Sequence, residues 1–222
     1  MPRTQQPPRR PRSQSSGILA FITQAITNYH TTGAVAPSSA ALARAMTQSL
    51  RTHAGPKRIL EVGPGTGPFT RAMLAALKPG DELHVVEINP AFAERLDHSM
   101  LEPFRRENPD ITVELHCQAI ETADVVGPFD FVVCGLPFNN FPPALVRSIF
   151  RRMIALLKTG GELAYFEYAA VRIMKGSFVG TEGRKKLGKI RAVGKILQKR
   201  HRGTRTLVLS NFPPAVAVKL HG

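Results

Sequence analysis

The chain has 222 residues, 43% of them hydrophobic, two cysteines and a formal net charge of +14 at pH 7. That length bounds it to one domain with appendages and a full-sized core. No apolar run reaches the ~18–20 residues of a membrane span, and Cys117 and Cys134 lack metal-ligand spacing, so a reduced, cytoplasmic protein is the expectation rather than an integral or disulfide-stapled one.

The position of the charge says more than its size. Residues 1–16 carry four arginines and no acid, and residues 172–205 carry twelve Lys or Arg against the single Glu182. The remainder is close to neutral. Segregation of this kind points to a polyanionic partner, nucleic acid or an anionic membrane surface, whereas a solvated charged face mixes signs.

In chain order, residues 1–16 are rich in Pro, Arg, Gln and Ser and predict a disordered basic tail, with no apolar stretch or cleavage site of a secretion signal. Apolar residues from Ile18 to Tyr29 recur at helical spacing and predict a helix over about 17–30. Ser38 or Ser39 then caps a second helix through Leu42, Ala45, Met46 and Leu50. Residues 17–56 are thus expected to form a helical cap on the membrane or substrate side of a domain spanning 57–222.

Within that domain strands and helices alternate. The prediction is a strand at 58–63, a helix at 68–77, a strand at 82–88, a helix opened by Pro90, and a strand at 111–117. A short helix near 120–126, a strand at 129–134, a helix at 143–157 and a strand at 161–167 follow. Such alternation means a parallel sheet with helices on both faces. The last strands, Thr206–Ser210 and Ala215–Leu220, are joined too closely to cross over and must be antiparallel. Between them and the fifth strand lies a basic insertion at about 172–204. Its Leu187, Ile190, Val193 or Gly194, and Leu197 make one apolar stripe, as in a helix lying in a lipid interface. An RNA-binding arm is the competing reading, but Phe212 is the only aromatic residue for base stacking between Val179 and Leu220.

The most informative stretch is Ile59-Leu60-Glu61-Val62-Gly63-Pro64-Gly65-Thr66-Gly67, an apolar strand running into three alternate glycines. Glycine there lets the backbone turn tightly and approach a ligand closely. The next strand ends in Glu87, which can accept hydrogen bonds from both hydroxyls of a ribose. A nucleoside-bearing cofactor across the ends of two parallel strands is the implication. A dinucleotide site would space its glycines Gly-x-Gly-x-x-Gly, and Glu61 would repel a pyrophosphate but could hold a cationic amino group. The pattern resembles motif I of the class I methyltransferases, which bind S-adenosylmethionine.

The fourth strand leads into Cys134-Gly135-Leu136-Pro137-Phe138-Asn139-Asn140-Phe141-Pro142. In methyltransferases acting on nitrogen, which this arrangement resembles, the loop after this strand presents backbone carbonyls that can orient an amine; Phe138 and Phe141 offer apolar or π surface to a nitrogen gaining positive charge. With Thr32-Gly33-Ala34-Val35-Ala36-Pro37-Ser38-Ser39 before the core, the chain resembles the bacterial phospholipid N-methyltransferase family, although Ala40 stands where that family's pattern has a basic residue. The resemblance covers most of residues 17–168 and the end of the chain. It implies a Rossmann-like class I methyltransferase fold, α/β with a mostly parallel seven-stranded sheet and a C-terminal antiparallel hairpin. It also implies methylation of phosphatidylethanolamine toward phosphatidylcholine by an enzyme attached peripherally to the inner face of the membrane.

Carried over by residue, the resemblance implies a methionine-side cradle of Glu61, Gly63, Gly65 and Gly67, with Glu87 on the ribose. Ile88 would cover the adenine, and Gln118 and Ala119 would border its edge. Gly135, Leu136 and Pro137 would flank the reactive nitrogen, and Tyr29 and Tyr168 are candidates for closing the substrate side. Direct displacement at the sulfonium methyl is expected, with no metal; the histidines show no ligand spacing and read as ordinary surface or core residues. Two other readings stand beside this one: an RNA adenine N6-dimethylase, and a non-catalytic membrane or nucleic-acid binding protein of the same fold.

Overall fold

The computed structural model describes residues 38–169 and 181–222. The helix expected at 17–30, with Tyr29, lies outside them, as does the N-terminal tail.

Ser39 caps α1 (Ala40–Thr52), its hydroxyl accepting from Leu42 N at 3.1 Å. The helix is strongly amphipathic, and Leu42, Ala43, Met46 and Leu50 are buried. They pack with Ile59, Phe69, Met73 and Ala217 in one of two hydrophobic clusters. Polar contacts fix its position: Ser49 donates to Glu162 Oε2 at 2.8 Å, and Lys219 Nζ reaches Ser49 Oγ at 2.6 Å. Asn211, buried near the other end of the chain, accepts from Ser39 N at 2.8 Å.

From there β1 (Arg58–Val62), α2 (Pro68–Leu74), β2 (Glu82–Val86) and α3 (Pro90–Leu96) follow in turn. A π-helical turn at Asp97–Leu101 continues into α4 (Glu102–Glu107), and β3 (Thr112–His116) and β4 (Phe129–Cys134) come next. The chain is completed by α5 (Pro143–Leu156), β5 (Leu157–Tyr168), α6 (Thr181–Arg200), β6 (Thr204–Val208) and β7 (Ala215–His221). Asn89 caps α3 by accepting from Ala91 N at 3.0 Å, with Pro90 at the first helical position where its missing N–H costs nothing.

Seven strands form one sheet in the order β3-β2-β1-β4-β5-β7-β6. The first five are parallel to their neighbours, while β7 runs antiparallel to both β5 and β6. Buried apolar residues on both faces of β1 and β4 explain their near-continuous hydrophobic runs. A buried Lys57–Asp81 ion pair ties the start of β1 to the start of β2, and Asp81 also accepts from Lys57 N at 3.0 Å and Lys78 N at 2.7 Å.

Four sequence expectations change. No helix forms at 120–126: Ala123 and Val125 are buried while Asp124 and Val126 are exposed, the two-residue period of extended chain. The β-branched Val125-Val126 pair and the Gly127-Pro128 that follows it also disfavour a helix. The strand expected at 161–167 begins earlier, at Leu157, and the hairpin strand begins at Thr204, leaving a longer turn at 209–214. The apolar stripe of the basic helix is used internally. Ile190 is buried in the core, and Val193 and Leu197 pack against the same cluster as α5 and β5. That face is therefore not available to lie in lipid; the exposed surface of α6 carries Lys185, Lys189, Arg191, Lys195, Lys199 and Arg200.

Candidate active site

Strand order reverses between β1 and β4, and loops leaving the carboxyl ends of neighbouring parallel strands diverge at such a point to open a crevice. Both signal loops lie there. Gly63 N donates to Val86 O at 2.9 Å, and Gly135 N to Val62 O at 2.8 Å, so the loops after β1 and β4 extend the sheet by one bond each. Gly63 has φ +69°, and a Cβ on it would sit 2.3 Å from Leu136 Cδ2. A Cβ on Gly135 would sit 2.5 Å from the carbonyl oxygen of Gly63, a backbone atom that cannot swing aside. The two loops touch only because neither carries a side chain at the contact.

Glu61 shares a strand face with Ile59 and points under α2, where Thr70 Oγ1 donates to its Oε2 at 2.8 Å. The carboxyl is fully buried, and its Oε1 has no hydrogen-bond partner. Burial pushes its pKa up to about 8; the Thr70 hydroxyl opposes the shift and the nearby Glu87 adds to it. An orphaned, buried carboxyl oxygen is costly alone and well suited to a cationic amine.

Glu87 is also buried, with its pKa raised by desolvation. Its Oε2 accepts from Gly65 N at 3.1 Å and its Oε1 from Asn89 N at 2.9 Å. Each oxygen retains acceptor capacity for a hydroxyl. Beside it a narrow cleft brings together Gly63, Glu87, Ile88, Gln118 and Ala119, five of the residues expected to surround a cofactor, with Leu136, expected beside the reactive nitrogen. The Gln118 amide does not point freely into it: Nε2 donates to Asp124 Oδ2 and Oε1 accepts from Asp124 N, both at 2.9 Å.

After Gly135 the chain forms a short 3₁₀ turn at Phe138–Asn140. The Leu136 carbonyl accepts from Phe138 N at 3.0 Å and the Pro137 carbonyl from Asn140 N at 3.0 Å. These two carbonyls are thus turned into their own loop, contrary to the expectation that they point toward an amine. Phe141 is a core residue with no exposure. Phe138 packs 4.7 Å, centroid to centroid, from Phe150 and lines a second cavity.

That cavity, of about 640 Å³ and open to solvent on one side, is lined by described residues of the Pro137–Asn139 turn, α5, β5 and α6. Val146, Phe150 and Ile190 supply apolar wall; Arg191, Lys195 and Arg205 stand on its lining from α6 and β6. Lys186 Nζ also reaches the Asn140 carbonyl at 3.3 Å, tying α6 to the turn. Tyr168 ends β5 on the cavity and packs edge-on to Phe166 at 5.1 Å, and its hydroxyl pKa is raised by burial. The sequence reading missed a polar network here. Tyr165 Oη donates to Glu167 Oε1 at 3.2 Å, Gln198 Nε2 donates to Tyr165 Oη at 3.1 Å, and Arg205 reaches Glu167 Oε2 at 3.3 Å. The only signal in the sequence was two polar residues interrupting otherwise apolar segments. The Gly135–Phe138 loop is the wall between the two spaces: Leu136 lines the cleft, and Pro137 and Phe138 line the cavity.

Residues 59–161 match the family model described as a methyltransferase domain. The chain is 31% identical over 57% of its length to an ornithine lipid N-methyltransferase of Singulisphaera acidiphila, covering 65% of that protein. It is 39% identical over 41% of its length to ribosomal RNA small subunit methyltransferase A of Mycolicibacterium paratuberculosis, covering 28% of that protein. The chain thus spans less than two thirds of either relative. Among solved structures, the O-methyltransferase TomG of Streptomyces achromogenes, in complex with S-adenosylmethionine, superposes with a TM-score of 0.60 at 17% identity, over 91% of this chain and 88% of that one. The glycine-lined contact, the unpaired Glu61 oxygen and the Glu87 carboxylate fit that cofactor. The chain thus has the Rossmann-like fold of the S-adenosylmethionine-dependent class I methyltransferases, and its residues 59–161 match a methyltransferase domain.

Proposed function

We propose that this protein N-methylates the ethanolamine headgroup of membrane phospholipid, phosphatidylethanolamine toward phosphatidylcholine, at an anionic membrane surface. The observation that carries the reading is the shared wall: one short loop divides a narrow cleft lined by Gly63 and the buried Glu87 carboxyl from a cavity of mixed apolar and polar lining that Arg191, Lys195 and Arg205 border. An amphiphile whose amine lies one phosphate away from its acyl chains matches apolar wall plus Arg191, Lys195 and Arg205. The similarity to a lipid amine methylase supports the same reading.

S-adenosylmethionine supplies an electrophilic methyl on a sulfonium. In our reading Glu61 holds the methionyl amine, Gly63, Gly65 and Gly67 give the backbone room to approach, and Glu87 accepts from the ribose. Ile88, Gln118 and Ala119 border the adenine. Leu136 separates the donor from bulk water, and Pro137 and Phe138 present the acceptor amine; positioning and exclusion of water would provide most of the acceleration. With the Leu136 and Pro137 carbonyls engaged, the Gly135 carbonyl is our candidate to orient the nitrogen. Tyr168 borders the acceptor side.

A second reading, methylation of ribosomal RNA, draws on the higher identity to the rRNA enzyme over the core. Against it, Gly135 has no side chain to hold a flipped base, and any side chain there would strike Gly63. The test is transfer of labelled methyl to vesicles of phosphatidylethanolamine with an anionic lipid, compared with transfer to ribosomal RNA. Product in the lipid fraction supports the proposal; product only in RNA refutes it.

A further inference from the structure

We propose that β2 and β3 carry a binding site for a divalent cation of the zinc type, built from His84, Glu114 and His116. Strand β2 pairs parallel with β3, with His84 opposite Glu114 and Val86 opposite His116. Since side chains alternate along strands, this register brings all three to one face of the sheet. The separations are 3.3 Å between His84 Nδ1 and His116 Nε2, 3.3 Å between His84 Nδ1 and Glu114 Oε2, and 3.6 Å between His116 Nε2 and Glu114 Oε2. A tetrahedral zinc ion with ligand bonds of ~2.0–2.1 Å holds its ligands about 3.3–3.4 Å apart. The three atoms already form one face of such a tetrahedron. Two imidazoles and one carboxylate are a ligand set zinc accepts with water in the fourth position, and Glu114, 53% exposed at its side chain, keeps the site open to solvent.

On its other side, His84 Nε2 is buried without a hydrogen-bond partner and faces Glu82 Oε2 at 3.6 Å. Glu82 is in turn fixed by Arg58 Nε at 2.7 Å. A carboxylate there favours the proton on Nε2, which turns the Nδ1 lone pair into the triangle, toward the Glu114 carboxylate. Two lone pairs converging on one point repel unless a proton or a cation lies between them. The two rings are held nearly parallel, 16° apart with centroids at 5.6 Å. The competing reading, a protonated histidine ion-paired with Glu114, uses the same contacts but gives no zinc-dependent stabilisation, which the titration below distinguishes.

The site sits behind the cleft. The His116 carbonyl accepts from Glu87 N and from Gln118 N, both at 3.0 Å, so a cation joining β2 to β3 would stiffen the strand ends that carry those residues.

The test uses the full chain, stripped with chelator and titrated with Zn²⁺, followed by calorimetry and thermal melting. We expect one equivalent bound at micromolar affinity or tighter and a rise in melting midpoint, since binding only the folded state stabilises it. Glu114→Gln and His116→Asn should each lose at least ten-fold in affinity, and the rise with it. Glu114 is exposed, so its variant tests the ligand without disturbing the core. Co²⁺ in place of Zn²⁺ should give the visible absorption of a tetrahedral site in the parent and not in Glu114→Gln. No zinc-dependent shift, or equal shifts in the parent and both variants, overturns the proposal.

Discussion

Glu61 concentrates the chemistry of the site into one group with a pH signature. Its native pKa of about 8 stands above the ordinary 4.5. Below pH 4.5 both folded and unfolded forms hold the proton. Between 4.5 and 8 only the folded form does, so stability from this group falls as pH rises, and it levels off above 8. Glu61→Gln removes that penalty while keeping an acceptor for Thr70. The variant should be more stable than the parent at pH 8, by roughly 1–3 kcal/mol, with the gap closing toward pH 5, as read by thermal melts. The same substitution should weaken S-adenosylmethionine roughly 30-fold or more, because a buried charge partner is lost. In the parent, cofactor binding near pH 7 should release close to one proton, and in the variant none; calorimetry in buffers of different ionisation enthalpy reads this. Gly135→Ala tests the contact between loops. A methyl 2.5 Å from the Gly63 carbonyl must push the loops apart, so we expect a cost of about 1–3 kcal/mol in stability and a loss of cofactor affinity together.

At the scale of elements, what the sequence made legible was whatever is local. The strand–glycine–helix unit at 59–74, the Pro90 helix and the terminal hairpin follow from periodicity and turn chemistry within a few residues. Residues 120–126 did not read correctly because their burial is decided by packing under β4 rather than by helical spacing. The basic helix misled for the same reason: a stripe of Ile190, Val193 and Leu197 looks identical whether it meets lipid or the protein's own core. Its charges remain outward. Replacing Lys185, Arg191 and Lys195 with Gln should leave the melting midpoint nearly unchanged. Each cation is worth about 1 kcal/mol near an anionic surface, so vesicle binding should fall by about 100-fold, and raised salt should imitate the effect on the parent.

Over the whole molecule, the core is near neutral and the positive excess lies in two short segments. Among the described residues no helix is long and apolar enough to cross a membrane. Exposed apolar side chains at Leu209 and Phe212, 72% and 71% accessible, lie in the turn between β6 and β7, just beyond the basic helix in the chain. The lipid reading proposed above draws on this combination. In the proposed site, the cofactor half is the part the sequence could suggest, because Glu61, the glycines and Glu87 are spaced by one strand–helix–strand unit. The acceptor half was not. Tyr165, Glu167, Gln198 and Arg205 meet only through the packing of α6 on β5, and His84, Glu114 and His116 only through strand register.

The lipid assignment is tested most directly by incubating the full chain with methyl-labelled S-adenosylmethionine, vesicles of phosphatidylethanolamine and an anionic lipid, and ribosomal RNA in one reaction. Label in methylated ethanolamine lipid, dependent on Glu61 and suppressed by salt, is the predicted result; label confined to RNA, or lipid transfer indifferent to the vesicle's charge, would contradict it.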